Sequence, residues 1–176
     1  MPAQRDAIGR RGLIVCEGPD DERFLRIMLT HLGIDMIWVE YVEGESQFRR
    51  YVRGLRGRAG FGILRSFAIV RDADTDSSTK FSHACSQLRD FGYPVPTLPL
   101  QLASGRFPAL ESGAVGFTGA TGVMILPPEK DVGALENLCL DAIGTDPSLP
   151  CVDEFLACVK SNSGIRWPES YRPKAQ

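Results

Sequence analysis

Leu13-Ile14-Val15-Cys16-Glu17-Gly18-Pro19-Asp20-Asp21 decides how the rest of the chain is read. Its apolar run is too short for a helix and rich in β-branched residues, which predicts a buried strand. Gly18 lets the chain turn, and Pro19 suits the first position of a helix. The expected apolar side of that helix is Phe24, Ile27, Met28 and Leu32, with His31 beside them and Gly33 ending it. Glu17 therefore falls at the carboxyl end of a strand, in a strand-to-helix crevice, where open α/β sheets bind ligands. Asp21 follows one helical turn later and leans back towards the same crevice. A helix start favours acids for its dipole, but Glu17 precedes the helix and the dipole does not require it.

A second carboxylate group has the same placement. Ser66-Phe67-Ala68-Ile69-Val70 reads as another buried strand and runs directly into Arg71-Asp72-Ala73-Asp74-Thr75-Asp76. Residues two apart on an extended chain share a face, so Asp72 and Asp74 are expected to point the same way. If the two strands are neighbours, Glu17, Asp21, Asp72 and Asp74 converge. Four carboxylates in one pocket repel each other and require a cation between them. All-oxygen ligation favours Mg²⁺ or Mn²⁺ over zinc.

At 176 residues and 19.3 kDa the chain has room for one domain. A content of 43% hydrophobic and 24% charged residues is ordinary for a globular protein. No apolar run reaches the roughly 18 residues of a membrane span and no signal-peptide core is present, so the expected location is cytoplasmic, with no membrane partner. The five cysteines are an odd number without a CxxC pair, which argues against a disulfide framework or a zinc site and for buried small hydrophobes. His31 and His83 flank no candidate nucleophile, and no Walker A lysine follows the glycines near Ala120. A net charge of −2 offers no global attraction to nucleic acid, so such binding must come from local clustering. Arg49, Arg50, Arg53, Arg56, Arg58 and Arg65 form one cluster with no acid among them. It would suit phosphate, or be a solvated helix face.

Residues 1–12 are expected to be a flexible arm, residues 13–165 a single domain and residues 166–176 a tail. A second strand is predicted near residues 36–42, then a helix over about 47–58 whose stripe is Phe48, Tyr51, Val52 and Leu55. Ser77 or Ser78 would cap the helix that runs to about Phe91. Residues 92–120 form a long loop or hairpin insertion, in which Pro96 and Pro99 demote the alternating leucines to an edge strand or hairpin arm. A further strand covers 122–126, and helices follow near 132–143 and 152–160. The alternation predicts an α/β fold, with about four mainly parallel strands and helices on both faces.

Glu17-Gly18-x-x-Asp21 between a strand and a helix, with a later strand ending in Asp72-x-Asp74, resembles the Toprim domain. That domain is shared by topoisomerases, bacterial primases, OLD-type nucleases and small RNA-maturation nucleases. Gly122-Val123-Met124-Ile125-Leu126-Pro127-Pro128 followed by Gly133-Ala134-Leu135-Glu136-Asn137 is similar to the signature of a small stand-alone Toprim-like family related to the OLD-type nucleases. The resemblance spans roughly residues 13–174. It implies a Rossmann-like Toprim fold and a metal-dependent nuclease, or a related phosphoryl-transfer enzyme, acting on DNA or RNA. Glu17 would be general acid/base or metal ligand, Asp72 and Asp74 would hold Mg²⁺ or Mn²⁺, and Asp21 would support them. The resemblance adds Glu136 as a metal ligand or organiser and Lys174 as a contact to the scissile phosphate. Asn137 stands where that family usually carries a second acid.

Two other readings remain. One is a non-catalytic nucleic-acid or protein-binding subunit working with a separate ATPase, by analogy with OLD-type systems. The other is a phosphatase with Asp72 as nucleophile. It is weakened because that motif normally follows the first strand, and Asp76 stands where Thr or Val is expected. Topoisomerase and primase activity are disfavoured because the resemblance stops at this domain.

Overall fold

In the computed structural model, which describes residues 8–109 and 116–162, the strand at the head of the chain is β1 (Gly12–Cys16). It pairs in parallel with β2 (Ile37–Tyr41) on one side and β3 (Ser66–Asp72) on the other. β3 pairs in parallel with a later strand, Thr118–Leu126, which carries the antiparallel edge strand β4 (Leu102–Arg106) and is itself β5. The order β2-β1-β3-β5-β4 makes a five-stranded, mostly parallel sheet. The helices are α1 (Pro19–His31), α2 (Glu45–Leu55), α3 (Ser77–Asp90), α4 (Leu135–Ala142) and α5 (Leu149–Asn162). This is an α/β fold of Rossmann-like architecture. The strand beyond the expected four is β4, the edge arm of the proline-rich segment.

Strand alternation sorts the core into two layers. Leu13, Val15, Phe67, Ile69, Val123 and Ile125 pack with Phe48, Val52 and Leu55 of α2 and Ala84 and Leu88 of α3. Cys16, Val70 and Leu126 pack on the other side with Leu25 and Leu29 of α1 and Leu135 of α4. Helices thus cover both faces, which is why the central strands read as unbroken apolar runs. The α2 stripe is the expected one, with Phe48, Tyr51, Val52 and Leu55 all buried. Among the described residues, no helix is long and apolar enough to cross a membrane.

Several local expectations change. The buried stripe of α1 is Asp21, Leu25 and Leu29, whereas Ile27 and Leu32 are 62% and 59% exposed and His31 faces solvent. An i, i+4 stripe beginning at Asp21 places the helix with Leu25 inward and rotates Ile27 out. Asp76, not Ser77 or Ser78, caps α3, its Oδ1 accepting from the Thr79 N–H at 3.0 Å. Cys16 and Cys85 are buried, but Cys139 is exposed on α4, and Cys151 and Cys158 are exposed because α5 is exposed along most of its length.

The expected arm is anchored before it reaches β1. Ile8 is 4% exposed and donates its N–H to the Ala59 carbonyl at 2.8 Å. Gly60, at φ +82°, lets the chain pass so close that a Cβ there would lie 2.0 Å from the Ile8 oxygen. Gly60→Ala is therefore expected to cost about 1–3 kcal/mol, through left-handed strain and displacement of Ile8. Urea denaturation reads this out, and an unchanged midpoint would mean that the Ile8 contact contributes nothing.

Candidate functional site

The parallel register decides what meets at the carboxyl ends of the strands. Val15 pairs with Ile69, so two residues further on Glu17 stands beside Arg71, on the side of the sheet covered by α2 and α3. Arg71 is 2% exposed, and its Nε donates to Glu17 Oε2 at 3.3 Å. Its Nη1 donates to Glu45 Oε2 in the first turn of α2, and its guanidinium lies over the Phe48 ring at 5.4 Å. Burial alone would weaken the charge on Arg71, but Glu45 and Glu17 outweigh it and raise its pKa. Glu45 also accepts from Gln87 Nε2 of α3. Lys80, in the first turn of α3, extends the row, its Nζ lying 2.7 Å from Asp74 Oδ2 and 3.9 Å from Glu17 Oε1.

The opposite side of the sheet uses its carboxylates differently. Asp21 accepts from the Gly18 N–H at 2.9 Å and so closes the start of α1. Asn137 does the same for the Ala134 N–H at the start of α4, which gives the residue in place of a second acid a structural task. Asp72 Oδ1 accepts from the Leu135 N–H at 3.0 Å, so it too serves the N-terminus of α4. Glu136 is exposed in that first turn. The Asp21 pKa is raised, first by burial and then by the charges of Glu136, Glu17 and Asp20, with the Gly18 N–H opposing. Burial and the charges of Asp21 and Glu22 push the neighbouring Cys16 thiol up to about 12, so it is not a thiolate nucleophile.

The expected carboxylates thus reach one end of the sheet but divide between two sides. Asp72 and Asp74 do not share a face, because β3 ends at Asp72 and Asp74 has φ +51°, where the two-residue rule of an extended chain no longer applies. Asp74 instead exchanges backbone hydrogen bonds with Gly133, at 2.7 and 2.9 Å, just ahead of α4. Among the described residues no three His, Cys, Asp or Glu side chains stand together as a metal cage. Glu17 and Asp74 nevertheless flank one position, and a cationic group, the Lys80 ammonium, stands between them. Two carboxylates completed by water and phosphate are a common Mg²⁺ arrangement, so the donor chemistry at this position fits such an ion. Lys174 lies outside the described residues.

The arginine cluster also divides. Arg58 is held by Glu40 and the Tyr51 hydroxyl, each at 2.7 Å, and is a structural residue rather than a free phosphate contact. Arg49 pairs with Asp90 at 2.9 Å. Arg65 turns back to the Gly62 and Leu64 carbonyls. Arg50, Arg53 and Arg56 are exposed, with no ion pair among the described residues.

Arg71, Lys80 and Glu45 were missed from the sequence. The parallel register of β1 and β3 would have placed Arg71. Lys80 carried its own signal, a cation in the first turn of a helix that has no acid there, against the dipole.

A mostly parallel α/β domain with a charge-paired crevice at its strand ends is the class this geometry defines. The chain belongs to the DUF3226 family, described as proteins of unknown function, whose profile matches residues 11–176. Neither the curated proteins nor the solved structures yield a significant match.

Two substitutions test the electrostatics. Arg71→Met is expected to destabilise by about 1–3 kcal/mol, less than for a fully buried pair because Glu17 and Glu45 reach solvent. Urea denaturation measures it. Asp21→Asn keeps the cap acceptor and removes a charge that the fold disfavours. A folded pKa above the ordinary 3.8 means that ionised Asp21 opposes folding at neutral pH. The variant should therefore melt higher at pH 7, and the gain should shrink as pH falls through the raised folded pKa and vanish below 3.8. A gain that grows on acidification would refute this account.

Proposed function

We propose that this chain is a Toprim-like, metal-dependent nuclease or a closely related phosphoryl-transfer enzyme, acting on DNA or RNA in the cytoplasm. The observation that carries the reading is the pair Glu17 and Asp74 closing on one cationic position at the strand-to-helix crevice. Glu17 is oriented by Arg71 and still 27% exposed, which suits a group that must both hold its aim and exchange a proton with water. Asp74 lies across the same position, and the Lys80 ammonium offers positive charge to the phosphate oxygens, while buried Arg71 acts through Glu17. Asp72 keeps α4 in register on the other side of the sheet, where Asp21 and Glu136 lie. A bound Mg²⁺ or Mn²⁺ would be held by Glu17 and Asp74 and would neutralise charge on the phosphate. The exposed Arg50, Arg53 and Arg56 supply a basic flank for the rest of the strand.

A second reading, a non-catalytic nucleic-acid or protein-binding subunit working with a separate ATPase, is favoured by one specific observation. Arg71 and Lys80 already neutralise the carboxylates from within the chain.

Titration of Mg²⁺ and Mn²⁺ with plasmid and RNA substrates separates the two. The enzyme reading expects metal-dependent cleavage that falls about 100-fold or more in Glu17→Gln and Asp74→Asn, with both variants still folded by circular dichroism and Glu17→Gln melting somewhat lower because it weakens the Arg71 pairing. Lys80→Met removes the internal competitor, so Mn²⁺ followed by electron paramagnetic resonance should bind more tightly to it. Binding without cleavage across the titration would favour the subunit. Full activity in Asp74→Asn would remove the enzyme reading.

A further inference from the structure

A second concave site lies away from the carboxylates. The far ends of α2 and α3 border an open concavity of about 300 Å³ lined by Val52, Arg53, Arg56, Asp90, Phe91 and Tyr93. Glu45 and Lys80 mark the crevice ends of these two helices, and Arg53 lies eight residues beyond Glu45, so the cavity is roughly 12 Å further along. Its volume is at the lower end of the range for small-ligand sites.

The charges in it do not cancel. Asp90 is its one acid and is taken by Arg49. Arg53 and Arg56 then remain, with no carboxylate partner among the described residues. A cation at the end of α2 suits the helix dipole, but the dipole does not call for two arginines on one cavity. Tyr93 supplies an independent sign. It is 4% exposed, and its buried hydroxyl has no hydrogen-bond partner among the described residues. Buried hydroxyls are normally satisfied, so this one is in want of an acceptor or donor. Burial raises its pKa, and the charge of Arg56 acts on it in the opposite sense. Val52 lies beneath the surface, and the half-buried Phe91 provides the apolar wall.

We propose that this cavity binds a phosphate monoester carried on a flat ring, that is, a nucleoside monophosphate, either free or as the phosphorylated end of an oligonucleotide. Two guanidiniums match the nearly double charge of a phosphate monoester, which a carboxylate does not carry. The Tyr93 hydroxyl, covered in the free protein, gains its missing partner from a phosphate oxygen when the ligand displaces what covers it, and the ring packs against the exposed part of Phe91. This site is independent of whether the carboxylate crevice is catalytic.

Isothermal titration of the full chain with adenosine and uridine 5′-monophosphate tests it, against inorganic phosphate, adenosine, and a trinucleotide with and without a 5′-phosphate. Saturable binding of the monophosphates is expected, with adenosine and inorganic phosphate each about tenfold weaker or worse. Arg53→Gln and Arg56→Gln should each weaken binding about tenfold. Tyr93→Phe should weaken it several-fold without lowering the melting temperature, since the hydroxyl it removes has no partner in the free protein. Glu17→Gln should leave this binding unchanged, which keeps the result separate from any failure of the nuclease reading. A phosphorylated trinucleotide binding more tightly than the mononucleotide identifies the strand end as the source, and equal affinity identifies the free nucleotide. Absence of binding at millimolar monophosphate would overturn the proposal. So would binding that survives both arginine variants, or inorganic phosphate binding as tightly as the nucleotides.

Discussion

The guanidinium of Arg71 is the constraint on which the crevice depends. It is almost wholly buried on the central strand β3 and must be neutralised where it stands. Glu17 reaches it from the neighbouring strand and Glu45 from the start of α2. One buried charge therefore ties together β1, β3 and α2, and through Gln87 it extends to α3. The packed layers beneath could tolerate changes of hydrophobic shape, but this network requires particular partners at particular places. The candidate carboxylate Glu17 is oriented as a by-product of that requirement.

The two sides of the sheet treat acidic side chains according to what lies opposite. Towards α2 and α3 they meet the cations Arg71 and Lys80 and remain available at a crevice. Towards α1 and α4 they meet backbone N–H groups at helix starts and become caps. Asp21 and Asp72 look alike in the sequence to Glu17 and Asp74, yet their hydrogen bonds go to the main chain. Strand parity separates Glu17 and Arg71, on one face, from Cys16 and Asp72, on the other, while Asp74, past the end of β3, is turned by its positive φ and Asp21 by its place on α1.

Much of the fold was legible because hydrophobic periodicity is strong where burial is complete. β1, β3, β5 and the α2 stripe followed from it directly. What escaped was set by tertiary contact. The inward side of α1 turned on how Asp21 caps the helix, and the end of β3 turned on the positive φ at Asp74, which periodicity does not encode. In the candidate site the acids were visible as strand-end residues, but their counter-ions were not, because Arg71 and Lys80 become partners of Glu17 only once the strand register and α3 are in place. The arginine cluster was visible as composition alone, and the division of labour between Arg58 and its neighbours belongs to the fold.

The paired backbone hydrogen bonds between Asp74 and Gly133 have a mechanical consequence. They splice the loop leaving β3 to the loop ahead of α4, while Asp72 clamps the first turn of that helix from two residues away. Drawing the Asp74 backbone outwards would therefore have to break these bonds or carry the start of α4, on the opposite side of the sheet, along with it.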